Sequence, residues 1–140
     1  MMCLSIHQPW AHAILHLQKR VENRTWATRH RGPLLVHASK SLASFDRQNP
    51  THWRRVLGVP LPERDGLAFG ALVGVVDVVG CVKVGPGGDL GGFGASVWAE
   101  EGGYAWVLEN PRAFATAIPY RGAQGLFSVP DSLIPEEFRP

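Results

Sequence analysis

Residues 67–84 read "LAFGALVGVVDVVGCVKV", and seven of these eighteen residues are valine. Valine is branched at Cβ and stiff at χ1, so such a run favours extended backbone packed on a pleated surface. Glycines at 70, 74 and 80 punctuate it, as they do where a strand bulges or turns a corner. The run therefore predicts one long bent strand, or the hairpin of a barrel. Around it lie shorter segments of the same kind: "CLSI" (3–6), the alternating stretch from Lys19 to Trp26, "PLLVHA" (33–38), "YAWVLEN" (104–110), "AFATAIP" (113–119) and "GLFSV" (125–129). One good helix interrupts them. It opens with Pro9, suited to a first helical position, and runs to about Gln18 with Trp10, Ala13, Ile14 and Leu17 at helical spacing. Residues 41–58 read as irregular or short helical, broken near Pro50, and "GPGGDLGGFG" (85–94) as a loop, more a mobile flap than a phosphate cradle because no Lys-Ser/Thr pair ends it. One helix and six or seven short strands imply an α+β fold, most simply a small β-barrel closed on itself with helices at its flank.

Composition limits the function classes. The chain has 140 residues, the size of a single domain over 1–140, with 45% hydrophobic and 19% charged residues, which are globular values. Sixteen glycines and eleven prolines suit many turns. The two cysteines, Cys3 and Cys81, form no C-x-x-C, so neither a disulfide framework nor a zinc site is expected. No basic leader precedes an apolar run and no apolar stretch reaches about 18 residues, so no membrane span is expected and the default location is cytoplasmic. Charge is uneven. Residues 16–55 carry nine Lys/Arg against Glu22 and Asp46, a balance of +7, whereas the remainder carries five basic and ten acidic groups, a balance of −5. Such asymmetry points to a polyanionic partner, although a solvated face meeting the acidic half would look the same.

The residues that could carry chemistry recur in four blocks. "SIHQPWA" offers Gln8 and Trp10 beside Pro9. "KRVENRTW" offers Lys19, Glu22, Arg24 and Trp26, the last three on one face if the stretch is extended. "LLVHASK" offers His37 and Lys40, and "YAWVLEN" offers Tyr104, Trp106 and Glu109. Aromatic planes beside basic and amide groups are what a splayed base and its phosphate require. For any one tryptophan, core packing is the simpler account, and for the glutamate and arginine a structural ion pair is. His12 and His16 stand one helical turn apart but lack the glutamate of a zinc protease motif and a third ligand, so no metal is expected.

The stretches "LSIHQPWAHAIL", "KRVENRTWATRHRGPLLVHAS" and "YAWVLENPRAFATAIPYRGAQGLFSV" together resemble the ASCH (activating-signal-cointegrator homology) domain family of the PUA-like superfamily. The likeness is greatest to its small single-domain subfamily, which includes the endothelium-overexpressed, lipopolysaccharide-associated factor. The family signature G-x-K-x-x-E-x-R falls on Leu17, Lys19, Glu22 and Arg24, so Leu17 departs from the glycine. The resemblance implies a PUA-like barrel with flanking helices and an RNA or nucleotide-like ligand in a cleft beside these residues. One branch hydrolyses the amide of N4-acetylcytidine with a lysine, a threonine and a glutamate. The lysine matches Lys19, but Glu22 stands where that branch has its threonine, and a carboxylate does not replace a hydroxyl without changing the mechanism.

Two functions follow. In the first, the chain binds RNA or a nucleotide: Trp10, Trp26 or Trp106 stacks a base, Gln8 and Glu22 bond its edge, and Arg24 and Lys19 take phosphate or orient Glu22. Pro9 and His37 complete the ligand-binding set. In the second, it is a small amidohydrolase on an acylated nucleoside, with Lys19 or Glu22 as catalytic base and Arg24 at the developing oxyanion. Neither needs a cofactor. Several members of the family are parts of larger complexes, so a protein-interaction role is a third possibility.

Overall fold

The valine-rich run is one strand. In the computed structural model, which describes all 140 residues, β4 spans Ala71–Lys83 and bends through three register shifts along its pairing with β5. The other strands are β1 (Met2–Ile6), β2 (Val21–Arg24), β3 (Gly32–Ala38), β5 (Tyr104–Pro119) and β6 (Leu126–Ser128). They form one six-stranded sheet in the order β2-β5-β4-β3-β1-β6, parallel only between β1 and β3. The sheet curls into a half-barrel, an α+β PUA-like architecture. The strand count, six, is as expected, but the sheet does not close on itself: β2 and β6 are its edges.

The sequence divided "YAWVLEN" from "AFATAIP" at Pro111, yet both belong to β5. Proline lacks an N–H and is tolerated in a sheet where the ladder is broken. Here β5 shifts register between Val75 and Asp77 of its partner, and Asn110 takes a left-handed φ of 52°. Asp77 fastens the irregular turn, accepting from Asn110 Nδ2 and Arg112 Nη2 at 3.1 Å each.

Two cores flank the sheet. Leu34 and Val36 of β3 point toward α1 (Trp10–His16), with Leu4, Ile6, Ile14, Val76, Trp106 and Leu108. Leu35 points the other way, with Cys3, Leu72, Val75, Phe114 and Ile134. The buried helix positions are Ala11, Ala13, Ile14 and Leu15, a stripe rotated from the predicted one, and Leu17 is the C-cap. The helix leaves through Gln18, whose φ is 64°, so the left-handed turn falls one residue after the expected glycine position.

Pro50 begins a helix rather than ending one. Asn49 caps α3 (Pro50–His52), its side chain accepting from the Thr51 and His52 N–H groups, and a wider turn over Trp53–Leu57 continues it. A four-residue helix, α2 (Ala43–Asp46), precedes it. The glycine loop expected as a mobile flap is anchored at Leu90 and otherwise largely exposed. Leu90 is buried with Val21, Val84 and Ala105, and the Phe93 ring lies over Gly80.

Candidate nucleic-acid cleft

The carboxyl ends of the parallel strands β1 and β3 lie side by side, with Ser5 opposite His37. Beyond them the chain continues as His7 on one strand and as Ser39 and Lys40 on the other. The segment Tyr120–Gly125, between β5 and β6, crosses the same end. These pieces enclose a cleft of about 820 Å³, whose walls also carry Arg24 and Trp26. Three cations, Arg24, Lys40 and Arg121, line it, with no acidic side chain. Trp26 lies just past the end of β2, 37% exposed, its ring edge-on to Trp106 at 4.8 Å between centroids.

A second hollow of about 210 Å³ adjoins the first, sharing His7 and Arg24, and is lined by Trp10, Lys19, Glu22, Asn23, Trp98 and Glu100. Lys19 and Glu22 are buried there at 2% and 6% exposure. The Lys19 ammonium donates to the Val21 carbonyl at 2.5 Å, stands 3.6 Å from Glu22 Oε1 and lies 5.7 Å from the centre of the Trp10 ring. Burial holds its pKa below the ordinary value, and the Glu22 carboxylate opposes that shift. Arg24 Nε donates to the other carboxylate oxygen at 3.0 Å, and Arg24 Nη2 to the Ser5 carbonyl at 2.7 Å. Glu22 therefore orients Arg24 from behind, and Arg24 joins the two hollows.

The nine predicted binding residues separate into lining and support. Arg24, Trp26 and His37 line the large cleft; Trp10, Lys19 and Glu22 line the small one. Gln8, Pro9 and Trp106 line neither. The Gln8 amide is consumed inside the fold, donating to the Ala68 carbonyl and accepting from the His12 N–H, and Pro9 is buried beside it. Trp106 is fully buried, its indole N–H donating to the Trp26 carbonyl at 3.2 Å, so it offers no face to a base and instead backs Trp26. Trp10 stacks on Trp53 at 5.3 Å and meets the edge of Trp98. Lys40 joins the large cleft, whereas Tyr104 and Glu109 do not. The His12 and His16 rings lie 4.7 Å apart, tilted by 37°, away from both hollows, and no group of three metal-ligating side chains is present. The thiol of Cys3 lies in the core, where burial pushes it up to about 12, and Cys81 accepts from the Thr28 N–H.

Sequence reasoning missed Ser5, His7, Tyr120 and Arg121. The signal was in "PYRGAQG" (119–125), an arginine among small residues between two apolar strands.

No helix is long and apolar enough to cross a membrane. A family model described as the ASCH domain matches residues 4–117. Activating signal cointegrator 1 of Homo sapiens and that of Mus musculus are each 28% identical over 122 residues, covering 86% of this chain and 21% of the relative. The chain thus spans about a fifth of the length of the curated relatives it matches.

Proposed function

The chain belongs to the ASCH domain family, one associated with RNA binding in the PUA-like superfamily, and on that premise we propose that the large cleft takes single-stranded RNA or a nucleotide-like ligand. The observation that carries the reading is the lining itself: three cations and no acidic side chain in the cleft wall, beside an exposed indole. Arg24, Lys40 and Arg121 take phosphate, and Trp26 stacks a base. A single strand is favoured over a duplex because its bases can be splayed onto an aromatic plane. Trp26 is suited to that work because Trp106 supports its ring and fixes its backbone carbonyl. Glu22 holds the Arg24 guanidinium in place, so little side-chain entropy remains to be lost on binding.

Titration of a fluorescein-labelled single-stranded RNA, read by anisotropy, tests the assignment of roles. Trp26→Ala is expected to lose about 1–3 kcal/mol of affinity with the salt dependence intact. Arg121→Ala is expected to weaken binding and to lower the slope of log K against log salt by about 0.7, one phosphate contact. Affinity unaffected by both substitutions would remove the reading.

The amidohydrolase reading centred on Lys19 and Glu22 draws on one observation, the burial that lowers the Lys19 pKa toward that of a usable base. The Lys19 ammonium is already engaged by the Val21 carbonyl and Glu22, which weighs against it. Release of acetate from N4-acetylcytidine, lost in Lys19→Met, would restore that reading.

A further inference from the structure

We propose that Ser5 and His37 form a nucleophile–base pair that transfers and hydrolyses acyl groups at the inner wall of the large cleft. The hydrogen-bond roles follow from the partners. His37 Nε2 lies 2.7 Å from the Tyr120 carbonyl oxygen, which only accepts, so Nε2 carries the proton. In the neutral ring Nδ1 is then the acceptor, and Ser5 Oγ, 2.5 Å away, is the donor. This is the arrangement that activates a serine: a hydroxyl donating to imidazole, and the opposite ring nitrogen held by a third group that fixes the tautomer. Here a backbone carbonyl takes the third position.

The pair is built into the fold. Ser5 and His37 are register partners on the parallel strands β1 and β3, so their side chains leave the same face of the sheet together. His37 is 2% exposed, whereas Ser5 is half-buried and lines the cleft. Gly122 passes so close that a Cβ there would stand 2.4 Å from Ser5 Oγ and 2.7 Å from His37 Cε1. The backbone can cover the pair only where no side chain intervenes. Arg24 Nη2 is bonded to the Ser5 carbonyl, which brings a guanidinium to the same residue, available to a negative charge forming on the attacked carbonyl.

With an ester, Ser5 Oγ bonds to the acyl carbon as His37 Nδ1 takes the hydroxyl proton. The bond from that carbon to the alcohol oxygen then breaks, and His37 returns the proton to the departing oxygen. Water repeats the sequence on the acyl-serine, yielding a carboxylic acid and the free hydroxyl of Ser5. No redox partner or metal is required. The substrate class is an acyl ester of a phosphate-bearing molecule such as a nucleotide; this choice rests on the proposed anionic ligand, whereas the chemistry of the pair does not.

Incubation with an alkyl fluorophosphonate tests the pair without reference to that ligand, since serine attack on phosphorus expels fluoride and leaves a stable adduct. Intact mass and peptide mapping are expected to show one adduct per chain, on Ser5, absent in Ser5→Ala and formed roughly a hundredfold or more slowly in His37→Gln. Tryptophan fluorescence reports whether each variant folds, and Ser5→Ala, which removes one exposed-side oxygen, carries the test if His37→Gln does not. No adduct in the wild type, or equal labelling in Ser5→Ala, would overturn the proposal. Unlabelled Ser5 with normal RNA affinity condemns the pair alone; labelled Ser5 without RNA affinity condemns the ligand assignment alone. With both intact, 3′-O-acetyl adenosine 5′-monophosphate is expected to be deacetylated.

Discussion

Lys19, Glu22 and Arg24 form a chain of alternating charge behind the cleft, and each member has a different share in stability. Removing one partner from a buried ion pair leaves a charge uncompensated, which costs about 3–5 kcal/mol. Glu22 is the shared partner of two cations, so Glu22→Gln is expected to cost about 3 kcal/mol in urea unfolding. Lys19→Met keeps the volume of the stem and leaves the Glu22–Arg24 pair intact, so it is expected to stay within about 1 kcal/mol of wild type. Equal damage from both would contradict the assignment of Glu22 as the hub. The pH dependence follows from Lys19. Burial, opposed by Glu22, holds its pKa below the ordinary 10.5, so between those two values the folded chain binds fewer protons than the unfolded chain. Stability attributable to Lys19 therefore rises with pH across that window. Cys3 acts oppositely between 9.0 and about 12, because burial keeps its thiol protonated in the fold. The difference in stability between wild type and Lys19→Met isolates the Lys19 share, and a difference that does not change with pH would refute it. The sequence made this trio legible because its members sit at spacings of three and two in one short stretch. Ser5 and His37 were not legible as a pair, since 32 residues separate them and only the parallel register of β1 and β3 unites them.

At the scale of elements, propensity and periodicity identified the strands and the main helix, and the misreadings came from single residues that tertiary context overrode. Residues 104–110 and 113–119 were read as two strands; the irregular turn at Asn110 lets one strand carry Pro111 between them. Leu17 stands where the family signature has its glycine, but the left-handed conformation falls on Gln18. A side chain there is strained relative to glycine, so Gln18→Gly is expected to raise stability by up to about 1 kcal/mol, and a loss of that size would show that the Gln18 contact to Arg20 outweighs the strain. Two strand glycines are expected to behave differently. A Cβ on Gly74 would meet the Arg112 carbonyl oxygen at 2.6 Å and Leu15 at 2.8 Å, backbone and core that have no room to move. Gly74→Ala should cost about 2–3 kcal/mol. A Cβ on Gly80 would meet the ring of Phe93, which is 48% exposed and free to swing outward, so Gly80→Ala should cost under about 1 kcal/mol. Thermal unfolding of the two variants reads the contrast, and a reversal of their order would contradict the packing described.

For the whole molecule, charge asymmetry was the most useful signal and also an incomplete one. The +7 stretch supplies Arg24 and Lys40 to the cleft, but Arg121 comes from the half whose net charge is negative. The one cleft expected beside Lys19, Glu22 and Arg24 is two hollows, joined by Arg24, with Glu22 confined to the smaller. Sequence spacing could not separate them, because residues of both lie within the one short stretch "KRVENRTW" and share Arg24. The central claim is that the larger hollow is a cationic seat for a nucleic-acid strand. The most direct measurement is the affinity for a short single-stranded RNA at rising salt. Three phosphate contacts imply a slope near −2 in log K against log salt, a loss of roughly twentyfold between about 50 and 200 mM. An affinity indifferent to salt over that range, or none at the lower concentration, would contradict it.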